Sequence, residues 1–120
     1  FVQKSVANGI DIIRIFDCLN DIRNLKTAVK AAVKEKADAQ VALSYTLGDA
    51  YTLEYWMDIA KKIEDMGATS ICIKDMAGAS AAKSTPIHEL FVYITTILPA
   101  SDVFPQSSDG CLTSCNLSPR

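Results

Sequence analysis

A lysine and an aspartate close the apolar run Ser70-Ile-Cys-Ile-Lys-Asp-Met-Ala-Gly78. A lysine in that place is costly to bury and poorly placed for solubility. An amine held out of water favours its neutral, nucleophilic form, so Lys74 is the first candidate for chemistry. Two more polar residues end short apolar runs: Asp17 after Ile12–Phe16, and Thr46 at the end of Gln40–Thr46. Asp17 is able to orient a ligand or to cap the helix that follows, and the cap is the expected job. Ser44 and Thr46 share one face of their run, where they line an interior or simply fill it. The plainest role for Lys74 is a strand-end lysine whose stem lies on apolar surface while its ammonium reaches water. Asp75 alternates away from Lys74, which gives it a loop or capping role. Tyr51, Tyr55 and Trp56 fall at helical spacing and read as packing. His88, the one histidine, reads as a surface or helix-start residue.

The elements that must position these groups repeat. Ile12–Phe16, Gln40–Thr46 and Ser70–Lys74 are short, rich in β-branched and apolar residues, and too brief for helices. They recur about every 29 residues. Between them, Ile22, Leu25, Val29 and Ala32 fall on one helical face, and so do Leu53, Trp56, Ile59, Ala60, Ile63 and Met66. Asn20 or Asp21 is placed to cap the first of these helices and Thr52 the second. Gly67 stands where a helix ends, and Gly9 repeats that placement after an N-terminal helical stretch. Strand and helix alternating at this period predict an α/β fold with a parallel sheet, either part of a (β/α)8 TIM barrel or an open doubly wound sheet. About three βα units fit in the chain.

Face alternation favours the barrel. Val41, Leu43 and Tyr45 share a face, as do Ile71 and Ile73, and these pack against helices. Gln40, Ala42, Ser44 and Thr46, with Cys72 and Lys74, then face an interior, and Thr46 and Lys74 stand at the C-terminal rim where barrel active sites are built. In the first strand parity alone does not decide which face is inward. Beyond Gly78 the rhythm stops. A helix is expected from Ile87, with a weaker strand reading over Phe91–Leu98, so residues 1–97 make the partial barrel. Residues 98–120 are rich in Ser and Pro and are expected to be irregular.

Composition excludes several classes. A net charge of −2 on 120 residues gives no electrostatic case for nucleic acid. No apolar run approaches the ~20 residues of a membrane span, and no signal-peptide pattern opens the chain, so the cytoplasm is the expected location. Phe1 in place of Met suggests a start cut from something longer. Cys18 and Cys72 lie in apolar runs and Cys111 and Cys115 in a C-x3-C spacing, too few ligands for zinc, so all four are expected as free, structural thiols.

Taken in order, Ile13–Asp17 ("IRIFD"), Ser44–Thr46 ("SYT"), Tyr51–Trp56 ("YTLEYW") and Ile73–Gly78 ("IKDMAG") resemble the carboxyltransferase domain of biotin-dependent enzymes. That family holds the α subunit of oxaloacetate decarboxylase, the matching domain of pyruvate carboxylase, and a related transcarboxylase subunit. The resemblance covers residues 1–78, and the wording of Tyr51–Ala68 is most similar to the oxaloacetate decarboxylase subunit. It implies a (β/α)8 barrel that moves CO2 between a keto acid and biotin on a carrier domain, with membrane-complex subunits as further partners of a full-length decarboxylase. It also implies that Lys74 is carbamylated and helps hold a divalent metal. Such a carbamate is an anionic oxygen ligand for a cation that polarises a keto-acid carbonyl.

The chain departs from the pattern in several places. The family's other metal ligands are an upstream aspartate and a His-x-His pair on the strand after "IKDMAG", and no His-x-His is present. Where the family continues with Leu-Leu, this chain has Ala79-Ser80-Ala81-Ala82. That break is what a shifted reading frame or a truncated gene product would give. The expectation is therefore a fragment, inactive alone and holding neither metal nor biotin by itself, whose open edge favours self-association or aggregation. A fragment of a related metal-dependent barrel lyase or synthase, and a truncated product without enzymatic function, stand as the other readings.

Overall fold

The computed structural model describes residues 1–75 and 111–116. A short helix α1 (Val2–Ala7) leads into strand β1 (Ile12–Phe16), helix α2 (Ile22–Lys34), strand β2 (Asp38–Ser44), helix α3 (Leu53–Asp65) and strand β3 (Ser70–Lys74). A last strand, β4 (Cys111–Asn116), completes the described elements. Asp21 caps α2 by accepting the Arg23 N–H, and Thr52 caps α3 by accepting the Tyr55 N–H. Gly67 follows α3 at φ 89, a left-handed conformation in which a side chain is strained, and so stops the helix there. The sequence places the second strand at Gln40–Thr46. The strand observed runs Asp38–Ser44: it begins earlier because the backbone pairs Ile12 with Asp38 and so recruits two residues that carry no strand pattern, and it stops before Tyr45 and Thr46.

β1, β2 and β3 run parallel in that spatial order. Register settles which residues share a face. Arg14 pairs with Gln40, which pairs with Ser70; Phe16 pairs with Ala42, which pairs with Cys72. On the opposite face Ile13, Ile15, Val41, Leu43, Tyr45, Ile71 and Ile73 join Leu25, Val29 and Ala32 of α2 and Trp56, Ile59, Ala60 and Ile63 of α3 in one core. Each apolar face read from the sequence is therefore buried against its partner. β1, whose parity leaves the question open, puts Ile13 and Ile15 toward the helices and leaves Ile12, Arg14 and Phe16 on the other side. Arg14 is held there by donating through Nε to Gln40 Oε1 at 2.7 Å.

The sheet is mixed α/β with three parallel strands, as a partial barrel would have, and no closed barrel forms among the described residues. β4 lies antiparallel to β3. It falls within residues 98–120, where the sequence predicts an irregular stretch; the open edge of β3 supplies backbone partners that no local pattern announces. Cys72 is disulfide-bonded, not a free thiol, while Cys18 is free and exposed. The helix expected from Ile87, the strand reading over Phe91–Leu98, and His88 lie outside the described residues.

Candidate functional site at the C-terminal edge of the parallel sheet

A parallel sheet gathers the ends of its strands at one edge, and the loops that leave them meet there. In this chain that edge carries a cleft of about 320 Å³. The end of β1 contributes Phe16 and the β1–α2 connection Cys18, Leu19 and Asn20; the end of β2 contributes Ser44 and the loop after it Tyr45 and Thr46; Tyr51 and Lys74 complete the lining. Lys74 ends β3 half-buried, and its Nζ stands 3.9 Å from the centroid of the Phe16 ring. That is a cation–π contact reaching across β2, and the small Ala42 and Ser44 on β2 leave room for it.

The β1–α2 connection is held by carboxylates. Asp17 Oδ2 accepts the N–H groups of Leu19 (3.0 Å) and Asp21 (2.9 Å), and Oδ1 accepts the Asn24 side-chain amide (3.0 Å). Asp17 thus shapes the loop, and the helix cap expected of it falls to Asp21. The Asp21 N–H and then the Asn24 amide hold the Asp17 carboxyl below the ordinary aspartate range. Arg23, through its side chain and its backbone N–H, lowers Asp21 to about 2. A carboxyl lowered on folding stabilises the fold above its unfolded pKa, and that contribution disappears as pH falls through its folded pKa. The Leu19 and Asp21 amide resonances should therefore titrate together on the acid side of 3.8, the ordinary aspartate value. Titration of both amides at or above that value would show that Asp17 does not clip the loop.

Behind the cleft lies an aromatic cluster. Trp56 sits 5.4 Å from Tyr45, 5.8 Å from Tyr51 and 5.1 Å from Tyr55, centroid to centroid. Burial, then the neighbouring Tyr51, raises the Tyr55 hydroxyl, while the Asn20 side chain acts to lower it.

Of the three residues singled out by sequence, Lys74 and Thr46 come together in the cleft, and Asp17 stands beside it as the brace of its wall. Phe16, Cys18, Asn20 and Tyr51 were not anticipated as lining. The usable signal was the Leu19-Asn20-Asp21 turn directly after a strand, since Asn tolerates the left-handed backbone that such a turn requires. Among the described residues no three His, Cys, Asp or Glu side chains gather in a way that could hold a metal ion. Both Asp17 carboxylate oxygens are already engaged. The described residues therefore do not fit a divalent cation, Lys74 being a single donor.

No family model matches the chain. Individual relatives do. A pyruvate carboxylase subunit of Methanocaldococcus jannaschii is 55% identical over 78 residues, covering 65% of this chain and 14% of the relative. The chain belongs to the biotin-dependent carboxyltransferase family as a fragment. The methylmalonyl-CoA carboxyltransferase 5S subunit of Propionibacterium freudenreichii is 40% identical over 90 residues, 75% of this chain and 17% of that protein. A solved structure of the carboxyl transferase domain of Rhizobium etli pyruvate carboxylase with pyruvate and biocytin superposes with a TM-score of 0.60 at 36% identity. It matches 64% of this chain and 14% of that one. This member thus spans about one seventh of the length of the Methanocaldococcus relative. No helix among the described residues is long and apolar enough to cross a membrane.

Proposed function

We propose that this chain is one side of a barrel that transfers a carboxyl group between biotin, delivered on a carrier domain, and a keto acid, pyruvate or oxaloacetate. The observation that carries the reading is the convergence of Lys74, the last residue of β3, and Thr46, from the loop just after β2, on one cleft at the C-terminal edge of a parallel sheet. Barrel enzymes place their chemistry at that edge. In this reading the Lys74 ammonium gives up a proton to solvent, and the amine so formed adds to the carbon of CO2 and loses a second proton, leaving a carbamate anion. In a complete barrel that anion would offer one oxygen ligand to a divalent metal, whose other ligands the described residues do not supply. Asp17 braces the loop beside it, and Thr46 offers a hydroxyl to the bound keto acid.

The chain alone is proposed to be inactive. The described residues do not complete a cation shell, and β4 occupies the edge of β3 where the next parallel strand of a barrel would lie. Membrane-complex subunits, where the parent is a decarboxylase, would be met through the rest of that protein. A cytoplasmic location belongs to the same reading, and the Cys72 disulfide is the observation that pulls against it.

Two measurements test this. Purified chain should hold no tightly bound divalent ion and should decarboxylate oxaloacetate no faster than a metal-only control; one ion retained per chain would overturn the inactivity. In a full-length carboxyltransferase carrying this segment, Lys74→Ala should lower carboxyl transfer by about a hundredfold or more. A variant with unchanged transfer would remove Lys74 from the chemistry.

A further inference from the structure

Asn20 is the residue in the β1–α2 connection whose backbone is left-handed, at φ 57, and it is 9% exposed. Its side chain makes two bonds to one residue of the neighbouring strand. The Ser44 N–H donates to Asn20 Oδ1 at 2.8 Å, and Asn20 Nδ2 donates to the Ser44 carbonyl at 3.0 Å. These are the two bonds that a strand beside β2 would make to Ser44. β1 has already turned away at Asp17, and the amide stands in for its missing backbone. Ser44 Oγ adds a third tie by donating to the Asp17 carbonyl at 3.2 Å.

Alternate residues of a strand direct their backbone groups to opposite neighbours. Ser44 faces the β1 side, so Tyr45 faces β3, and the Tyr45 N–H donates to the Lys74 carbonyl at 2.9 Å. A continuous path of hydrogen bonds therefore runs from the Asn20 amide through the end of β2 to the main chain of Lys74. At the end of β3 the side chain of the same lysine reaches back and sets its Nζ over Phe16, the last residue of β1; the next residue, Asp17, is clipped to Asp21 and Asn24. One end of the path rests on the last residue of β1 and the other on the loop that follows it.

We propose that Asn20 is a positioning residue for Lys74: its amide fixes the end of β2, and through Tyr45 it fixes where the lysine side chain enters the cleft. This rests on the reading of Lys74 as the reacting amine. Asn20 touches no reacting atom in that reading and acts through Ser44 and Tyr45. The two halves of the amide have separable roles. Asn20→Gly keeps the left-handed backbone and removes both bonds. Asn20→Asp keeps the acceptor for the Ser44 N–H and replaces the donor with an oxygen that repels the Ser44 carbonyl.

The test uses the whole chain, isotopically labelled, with circular dichroism as the check on folding. The Lys74 Hε protons over the Phe16 ring carry an upfield ring-current shift that reports their placement. In Asn20→Gly the Ser44 and Tyr45 amides should exchange with deuterium about tenfold faster or more, the scale of one lost hydrogen bond. The upfield shift of Lys74 should shrink at the same time, while the amides of Ile13 and Val41 exchange as before. Asn20→Asp should hold Ser44 protection better than Asn20→Gly and give an intermediate Lys74 shift; it also serves where the glycine variant fails to fold. Lys74 resonances unchanged in folded variants would overturn the inference. Lys74 moving with Asn20 in a protein whose Lys74→Ala variant still transfers carboxyl groups would support the positioning and remove only the chemical reading.

Discussion

Replacing Trp56 by alanine should cost about 3–5 kcal/mol of stability, the range for truncating a fully buried aromatic side chain. Trp56 is 0% exposed and packs against three tyrosines, Tyr45, Tyr51 and Tyr55, so the void left behind opens in the middle of their cluster. Domains of this size are commonly stable by about 5–15 kcal/mol, which puts the variant at the edge of folding at room temperature. Trp56→Phe should be far milder. The indole Nε1 is buried with no hydrogen-bond partner among the described residues, so phenylalanine removes an unsatisfied donor as well as some volume. Urea unfolding followed by circular dichroism separates the two variants. Equal midpoints for Trp56→Ala and the parent chain would show that the tyrosines collapse into the space and that the cluster is not a keystone of the core.

The second large effect concerns the open edge. β1 is the first strand of the sheet order, and among the described residues nothing pairs with its outer side. Ile12 and Phe16 are about half exposed on its face, with Ile10 and Leu19 close by in sequence and also exposed. An unpaired strand edge flanked by apolar side chains is a template for association. Sedimentation velocity should show the chain moving from monomer to larger species across the micromolar range where exposed edges associate, and Ile12→Lys should restore the monomer. The new lysine would stand two residues from Arg14 on the same face, so a partner strand meets two like charges. A chain that stays folded and monomeric throughout that range would show the edge to be harmless.

How far the sequence led can be judged residue by residue. The three parallel strands were legible because each is a short β-branched run between helices with one apolar stripe, and both the local pattern and the burial agree. Lys74 was legible as a strand-end residue for the same reason, since alternation fixes a face and strand direction fixes an end; Thr46 lines the same cleft from just past the end of β2. The orientation of β1 was not, because isoleucine or phenylalanine occupies both faces; register with Gln40 and the Arg14 bond decided it. Asn20 reads from its local sequence only as a candidate helix cap. Its pairing with Ser44 spans 24 residues, and no local pattern encodes a side chain substituting for a strand. β4 was missed on the same principle, its strand conformation being drawn from the edge of β3.

That last strand gives the sheet a direction of growth. A run of βα units behaves like a linear polymer in which each strand offers one edge backward and one forward. β4, antiparallel on β3, fills the forward edge of β3, and among the described residues the outer edges of the sheet are those of β1 and β4. The antiparallel strand thus breaks the parallel series: a strand added beyond β4 would meet one running against β1, β2 and β3.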